Sequence, residues 1–166
     1  MLSELDDDHV AAICRVLNEH DVQFVIIGGV AARLHETGYA TVDVDICPSN
    51  ADANLVNLSR ALRELGARLR IEGDASGVPF DPHPDALRQV TTMTLITDQG
   101  PLDLCFEPAG FSDGYAGLVD QSTTIVVAEV DVPVASLADV VASKRAAGRP
   151  KDIVVLPALE ARLRRE

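Results

Sequence analysis

Apolar residues recur at helical spacing near the start of the chain. Val10, Ile13, Cys14 and Leu17 share one face, which predicts a helix over Ser3–His20. Asp6, Asp7 and Asp8 fall in its first turn, where the helix dipole favours negative charge. A continuous apolar run, Val22–Ile27, then reads as a strand stopped by Gly28-Gly29, and a short helix over Val30–Glu36 follows. Gly38 allows a tight turn into the next element. Over Thr41–Cys47 the pattern becomes strict alternation, with Val42, Val44 and Ile46 on one face of a strand and Asp43 and Asp45 on the other.

Helical spacing returns over Ser49–Gly66. Leu55, Leu58, Leu62 and Leu65 form the apolar stripe, Ser49 or Asn50 offers a cap, and Gly66 ends the helix. Ala67–Ile71 reads as a strand. Glu72–Pro84, with two Gly and three Pro, reads as a loop. Val90–Thr97 and Pro101–Phe106, joined by Asp98-Gln99-Gly100, form a hairpin. Phe111–Asp120 suits a loop with a short helix, and Thr123–Val134 a strand or a bent strand pair. Ser136 caps a helix over Leu137–Ala147 that Gly148 closes. Pro150 opens a last helix, which Pro157 is expected to kink or divide.

The acidic strand carries the candidate chemistry. Residues i and i+2 of a strand point the same way with Cα atoms about 6–7 Å apart. Carboxylates that close on an apolar strand repel one another and need a partner, and a divalent cation is the usual one. A bare Asp-x-Asp is commonly just solvated; here the flanking alternation and the glycine turn upstream, at a strand end where backbone N–H groups bind phosphate, add weight. A two-acid site calls for a third acid. Asp103, between Leu102 and Leu104 in the later hairpin, is the candidate, with Asp131 the weaker competitor. His35 either faces this site or packs beneath it.

Composition narrows the setting. The 166 residues, 47% of them hydrophobic, suffice for one domain with a sizeable core, but only 4% are aromatic, so Ala, Val and Leu must fill it. The net charge of −12 argues against broad, non-specific nucleic-acid binding. Three cysteines without metal-type spacing (Cys14, Cys47, Cys105) point to reduced, buried thiols in a cytoplasmic protein. No leader or apolar run of membrane length is visible. Against this acidic background Lys144, Arg145, Arg149 and Lys151 cluster within eight positions, as phosphate contacts or, for Arg145 in particular, as a solvated helix end.

Hydrophobic-Gly-Gly, thirteen residues, then Asp-hydrophobic-Asp-hydrophobic resembles the signature of the nucleotidyltransferase superfamily with the polymerase-β-type fold. The segment S-K-R-A-A-G-R-P-K-D resembles the C-terminal segment of a bacterial branch that includes abortive-infection type toxins of toxin–antitoxin pairs. The chain departs from the pattern at Gly29, where many members carry Ser, and at Ala40, where many carry Arg.

The resemblance implies an α/β (α+β) architecture, a mixed and largely antiparallel sheet flanked by helices. It would span residues 1–166 as one domain, with the helical segment 136–166 packed on the rest. It implies transfer of a nucleoside monophosphate from an NTP to an acceptor hydroxyl, with Mg²⁺ or Mn²⁺ held by Asp43, Asp45 and Asp103. Nucleotide contacts would come from Gly28, Gly29, Thr41, Lys144 and Lys151. The implied acceptor is an RNA end such as tRNA, and the implied protein partner a cognate antitoxin or toxin. A small hydroxylated molecule or a protein side chain is the alternative acceptor. A non-catalytic interaction module with the same fold is the alternative role.

Overall fold

The computed structural model describes residues 4–166. Helix α1 (Asp7–Glu19) buries Val10, Ile13, Cys14 and Leu17, the expected stripe. It starts later than the spacing suggests: Asp6 is the N-cap, its carboxylate accepting from the His9 N–H, and Ser3 lies outside the described residues. Strand β1 (Phe24–Ile27) runs straight into α2 (Gly28–Leu34). Strand β2 (Val44–Pro48) and α3 (Asp52–Glu64) follow. Neither Ser49 nor Asn50 caps α3; Ala51 is the N-cap residue, and the Ser49 hydroxyl instead accepts from the Ala51 N–H.

Next come β3 (Arg68–Ile71), β4 (Asp74–Pro79), α4 (Pro84–Arg88), β5 (Thr92–Thr97) and β6 (Gly100–Cys105). The loop expected over residues 72–84 therefore contains a strand. Residues 72 and 73 form a two-residue turn, and β4 returns antiparallel to β3. It lies at the sheet edge and is mostly exposed, Gly77 being its one buried residue, so Gly77 and Pro79 are tolerated there. Helix α5 (Tyr115–Leu118) leads into β7 (Thr123–Val127) and β8 (Val130–Val134), which resolves the bent pair into a hairpin.

The eight strands form one sheet in the order β4-β3-β5-β6-β2-β1-β8-β7. The β1–β8 and β2–β6 pairs are parallel; the other five are antiparallel. The expected mixed, largely antiparallel sheet with flanking helices is what the chain forms. Val44, Ile46, Leu102 and Leu104, on one face of β2 and β6, are buried in the core, which commits the other face of both strands to the acids.

Helices α6 (Leu137–Ala147) and α7 (Pro150–Leu163) close the chain. Ser136 caps α6 by accepting from the Asp139 N–H, and Gly148 ends it in the left-handed conformation at φ +61°. Helix α7 runs through Pro157 without interruption, contrary to a division there. A buried ionic clasp joins the two helices. Asp152 is fully buried, with Lys144 Nζ 3.5 Å from Oδ1 and Arg149 Nε 2.6 Å from Oδ2. Burial pushes the Asp152 pKa upward, but the Arg149 hydrogen bond and the charges of Arg149 and Lys144 hold it below the ordinary carboxylate value. Removing this carboxylate strands the Lys144 ammonium in a buried site. Asp152→Ala should lower stability by about 3 kcal/mol in urea unfolding, and a loss under about 1 kcal/mol would show that the clasp contributes little.

Candidate active site

Strand register assembles the acids. Asp45 on β2 lies beside Asp103 on β6, and across β2's other edge it faces Ile27, the residue before Gly28. Asp43 sits just before β2 rather than within it, two residues from Asp45 and on the same side. Carboxylate oxygens of Asp43, Asp45 and Asp103 lie within 4.8 Å of one another. Asp131, the weaker candidate, is exposed on β8 opposite Val126. His35 packs beneath, its Nε2 2.7 Å from the Ala135 carbonyl oxygen.

The glycine turn is shaped around this cluster. Gly28 adopts φ +65°, and a side chain there would collide with the Asp45 carboxylate. A side chain at Gly29 would meet the Thr41 hydroxyl and the Tyr39 ring. Thr41 in turn donates to the Asp43 carbonyl oxygen at 3.1 Å, fixing the backbone as it enters β2. Both glycines thus have a packing reason as well as the phosphate-binding one expected of them.

One residue near the acids was not singled out from sequence. Arg70 on β3 reaches them with Nη2 3.5 Å from Asp43 and 3.4 Å from Asp103. The sheet explains how. Leu69 pairs with Leu95 and Thr94 pairs with Asp103, so continuing the β3–β5 register by one residue sets Arg70, Thr94, Asp103 and Asp45 in one row across four strands. The sequence places no cation beside Thr41, where Ala40 stands; the fold brings one from the hairpin instead.

The charge state of the cluster follows from burial and crowding. Burial, followed by the charges of Asp43 and Asp103, pushes the Asp45 carboxyl up to about 7, against the pull of the Gly29 N–H and of Lys151. Burial and Asp43 raise Asp103 to about 6, while Arg70, the Leu95 N–H and Lys151 act to lower it. Three hard oxygen donors carrying more negative charge than their surroundings neutralise fit a divalent cation.

The acids line a cavity of about 650 Å³. Gly28, Gly29, Thr41, Lys144 and Lys151 line it too, so the fold gathers every expected site residue around one space. The two lysines differ. Lys144 is 7% exposed, held by Asp152 and 4.8 Å from the centre of the Tyr39 ring. Lys151 is exposed, and its charge is felt at Asp45 and Asp103. Arg145 pairs with Glu160 and takes no part in lining the cavity.

No protein-family model matches the chain, and no curated protein matches it in sequence. Solved structures do match, over 95% of its length. The lincosamide antibiotic adenylyltransferase LnuA, solved with lincomycin bound, superposes with a TM-score of 0.61 at 14% identity over 98% of its own chain. The chain has a nucleotidyltransferase fold. The antibiotic-resistance factor ANT(2'')-Ia matches equally well, with a TM-score of 0.61, 14% identity and 83% of its chain covered. An antigenic nucleotidyltransferase-like protein from Paracoccidioides brasiliensis gives 0.56 at 19% identity over 78% of its chain. None of the three is named as a toxin or an antitoxin.

The raised carboxyl pKa values give two outcomes. Folding keeps protons on Asp45 and Asp103 that the unfolded chain, titrating near 3.8, has already lost, so the metal-free protein should lose stability as pH rises from about 4 to about 7. Thermal unfolding with and without Mn²⁺ should therefore show a larger metal-induced rise in Tm at pH 8 than at pH 5. Asp45→Asn should raise the metal-free Tm at pH 8 by about 3 °C or more and remove most of the metal response. A metal response independent of pH, or intact in Asp45→Asn, would contradict this account of the cluster.

Proposed function

We propose that the chain transfers a nucleoside monophosphate from an NTP to a hydroxyl of a small molecule, releasing pyrophosphate. The observation that carries this reading is the convergence of Asp43, Asp45 and Asp103 on one cavity within a nucleotidyltransferase fold. Asp43, Asp45 and Asp103 would hold Mg²⁺ or Mn²⁺. When bound, that ion supplies charge neutralisation at the phosphates and lowers the pKa of an attacking hydroxyl. The chain's own groups do the rest. Gly28 and Gly29 line the cavity at the helix start, where the triphosphate tail would lie. Lys151 is the accessible cation for phosphate oxygens. Lys144, turned onto Asp152, holds the α6–α7 end of the cavity in shape beneath Tyr39. Asp103, on the cavity wall beside Asp45, is the candidate to accept the proton of the acceptor hydroxyl. Arg70 fixes Asp43 and Asp103 relative to each other.

Two observations favour a small molecule over an RNA end. Net charge is −12, and of the basic residues near the cavity Lys144 and Arg149 are both committed to Asp152. Two structural neighbours, an antibiotic adenylyltransferase and an antibiotic-resistance factor, are named for action on or resistance to small molecules. The toxin reading and an antitoxin partner rest only on the C-terminal segment.

Purified protein incubated with Mg²⁺, each α-labelled NTP and separate pools of hydroxylated small molecules and total tRNA should label the small molecules. Asp43→Asn and Asp103→Asn should each reduce transfer by at least about 100-fold while circular dichroism and Tm show a folded chain. Full transfer in both variants would overturn the assignment, and label on tRNA alone would return the acceptor to RNA.

A further inference from the structure

The two edges of the sheet differ. Strand β4, at one end, carries the usual guards against pairing: Asp74, a left-handed Gly77 at φ +75°, Pro79 and a register shift against β3 between Leu69 and Ile71. Strand β7, at the other end, carries none of them. Its five residues pair with β8 in unbroken register, and it contains no charge, proline or glycine. Four of the five are β-branched on their own strand face or edge, which suits pairing, and Val126 is 66% exposed. The stretch from Gln121 to Ala128 is uncharged throughout.

The hairpin turn fixes which backbone groups of β7 are free. Val127 and Val130 close a two-residue loop, Ala128-Glu129, with φ +43° and +67°. Such a loop follows a hydrogen-bonded pair, and hydrogen-bonded and non-hydrogen-bonded pairs alternate along an antiparallel ladder. Val127, Ile125 and Thr123 therefore turn their N–H and C=O groups to β8. Thr124 and Val126 turn theirs away from the sheet, and no loop or turn backbone group pairs with them among the described residues. Pro133, opposite Thr124, fits this phase, because its missing N–H would point away from β7.

We propose that β7 pairs antiparallel with β7 of a second copy of the chain, about a two-fold axis at Ile125. In this register Thr124 of each copy faces Val126 of the other. Both of these are hydrogen-bonded pairs, so the outward backbone groups of the two chains satisfy one another. Ile125 meets its own copy at a non-hydrogen-bonded pair, where Cα atoms approach to about 4.5 Å. A two-fold contact needs a self-complementary surface, and a regular, uncharged strand is one. The charges at its ends also keep clear of each other: Glu129 falls opposite Gln121 and Asp120 opposite Val130, so no carboxylate faces another in a pair of chains that each carry −12. The contact is short, at the small end of the range near 1,200 Å² in total or about that, so the dimer is reversible. Strands β8 and β1 separate β7 from β2, so the pairing does not depend on nucleotidyl transfer.

Sedimentation of the full chain over a concentration series tests this. The apparent mass should rise from one chain toward two through the micromolar range. Thr124→Pro removes an outward N–H without costing a bond to β8, and Val126→Lys sets a charge on the exposed edge. Each should weaken dimerisation at least about tenfold while circular dichroism and Tm show a folded chain. Val78→Lys, on the guarded edge, should leave the dimer unchanged. Ile125→Cys treated with glutathione disulfide should link two chains, because position 125 faces itself, whereas Val126→Cys should not. A monomer at every concentration overturns the proposal and leaves the edge to a strand of a different protein. A dimer that survives both Thr124→Pro and Val126→Lys, or links through Val126→Cys in place of Ile125→Cys, overturns it as well.

Discussion

Repulsion among three carboxylates is the constraint around which the site is built. Asp45 and Asp103 are neighbours on parallel strands, and Asp43 stands two residues from Asp45 on the same side. Left alone, such a cluster would open or protonate. The fold prevents the first by burying the other faces of β2 and β6, where Val44, Ile46, Leu102 and Leu104 leave the strands no register to slip into. It moderates the second with Arg70, the Gly29 and Leu95 N–H groups and Lys151, none of which cancels the charge. The remaining imbalance is what would let the cluster hold a cation.

The helices answer a different demand. The α6–α7 pair is fastened by Asp152, which draws Lys144 and Arg149 into one interaction. Buried ion pairs of this kind are weak sources of net stability but strongly penalise being broken. The clasp therefore sets where the two helices meet, and with that the far wall of the cavity. Val140, one turn before Lys144 on the same α6 face, and the adjacent Ser143 are delivered to the cavity by that placement.

Much of this was legible along the chain because the signals are local. The alternation through β2, the glycine stop after β1, the hairpin of β5 and β6 and the Ser136 cap each need only a few neighbouring residues, and each marks a true element. The acidic positions Asp43, Asp45 and Asp103 were visible for the same reason, as charges breaking apolar strands. What escaped was non-local or edge-bound. Strand β4 reads as a loop because an edge strand exposed to water has no apolar alternation to show, and it carries Gly77 and Pro79. Arg70 looks like an ordinary polar residue until the order β3-β5-β6-β2 is known, since only that order sets it in the row of acids. Helix α7 survives Pro157, a proline position that local rules treat as a break.

The clasp also governs what the cavity admits. Its wall carries Glu4, Asp43, Asp45, Asp103 and Asp139 against Lys144, Arg149 and Lys151, and two of those three cations already answer to Asp152. A bare polyanion approaching this mouth climbs an electrostatic hill. The same polyanion chelating a divalent ion carries two fewer negative charges and meets less repulsion. A cavity charged in this way favours a metal-chelated anion over a free one, and part of that bias comes from a carboxylate, Asp152, that ties up two of the wall's cations.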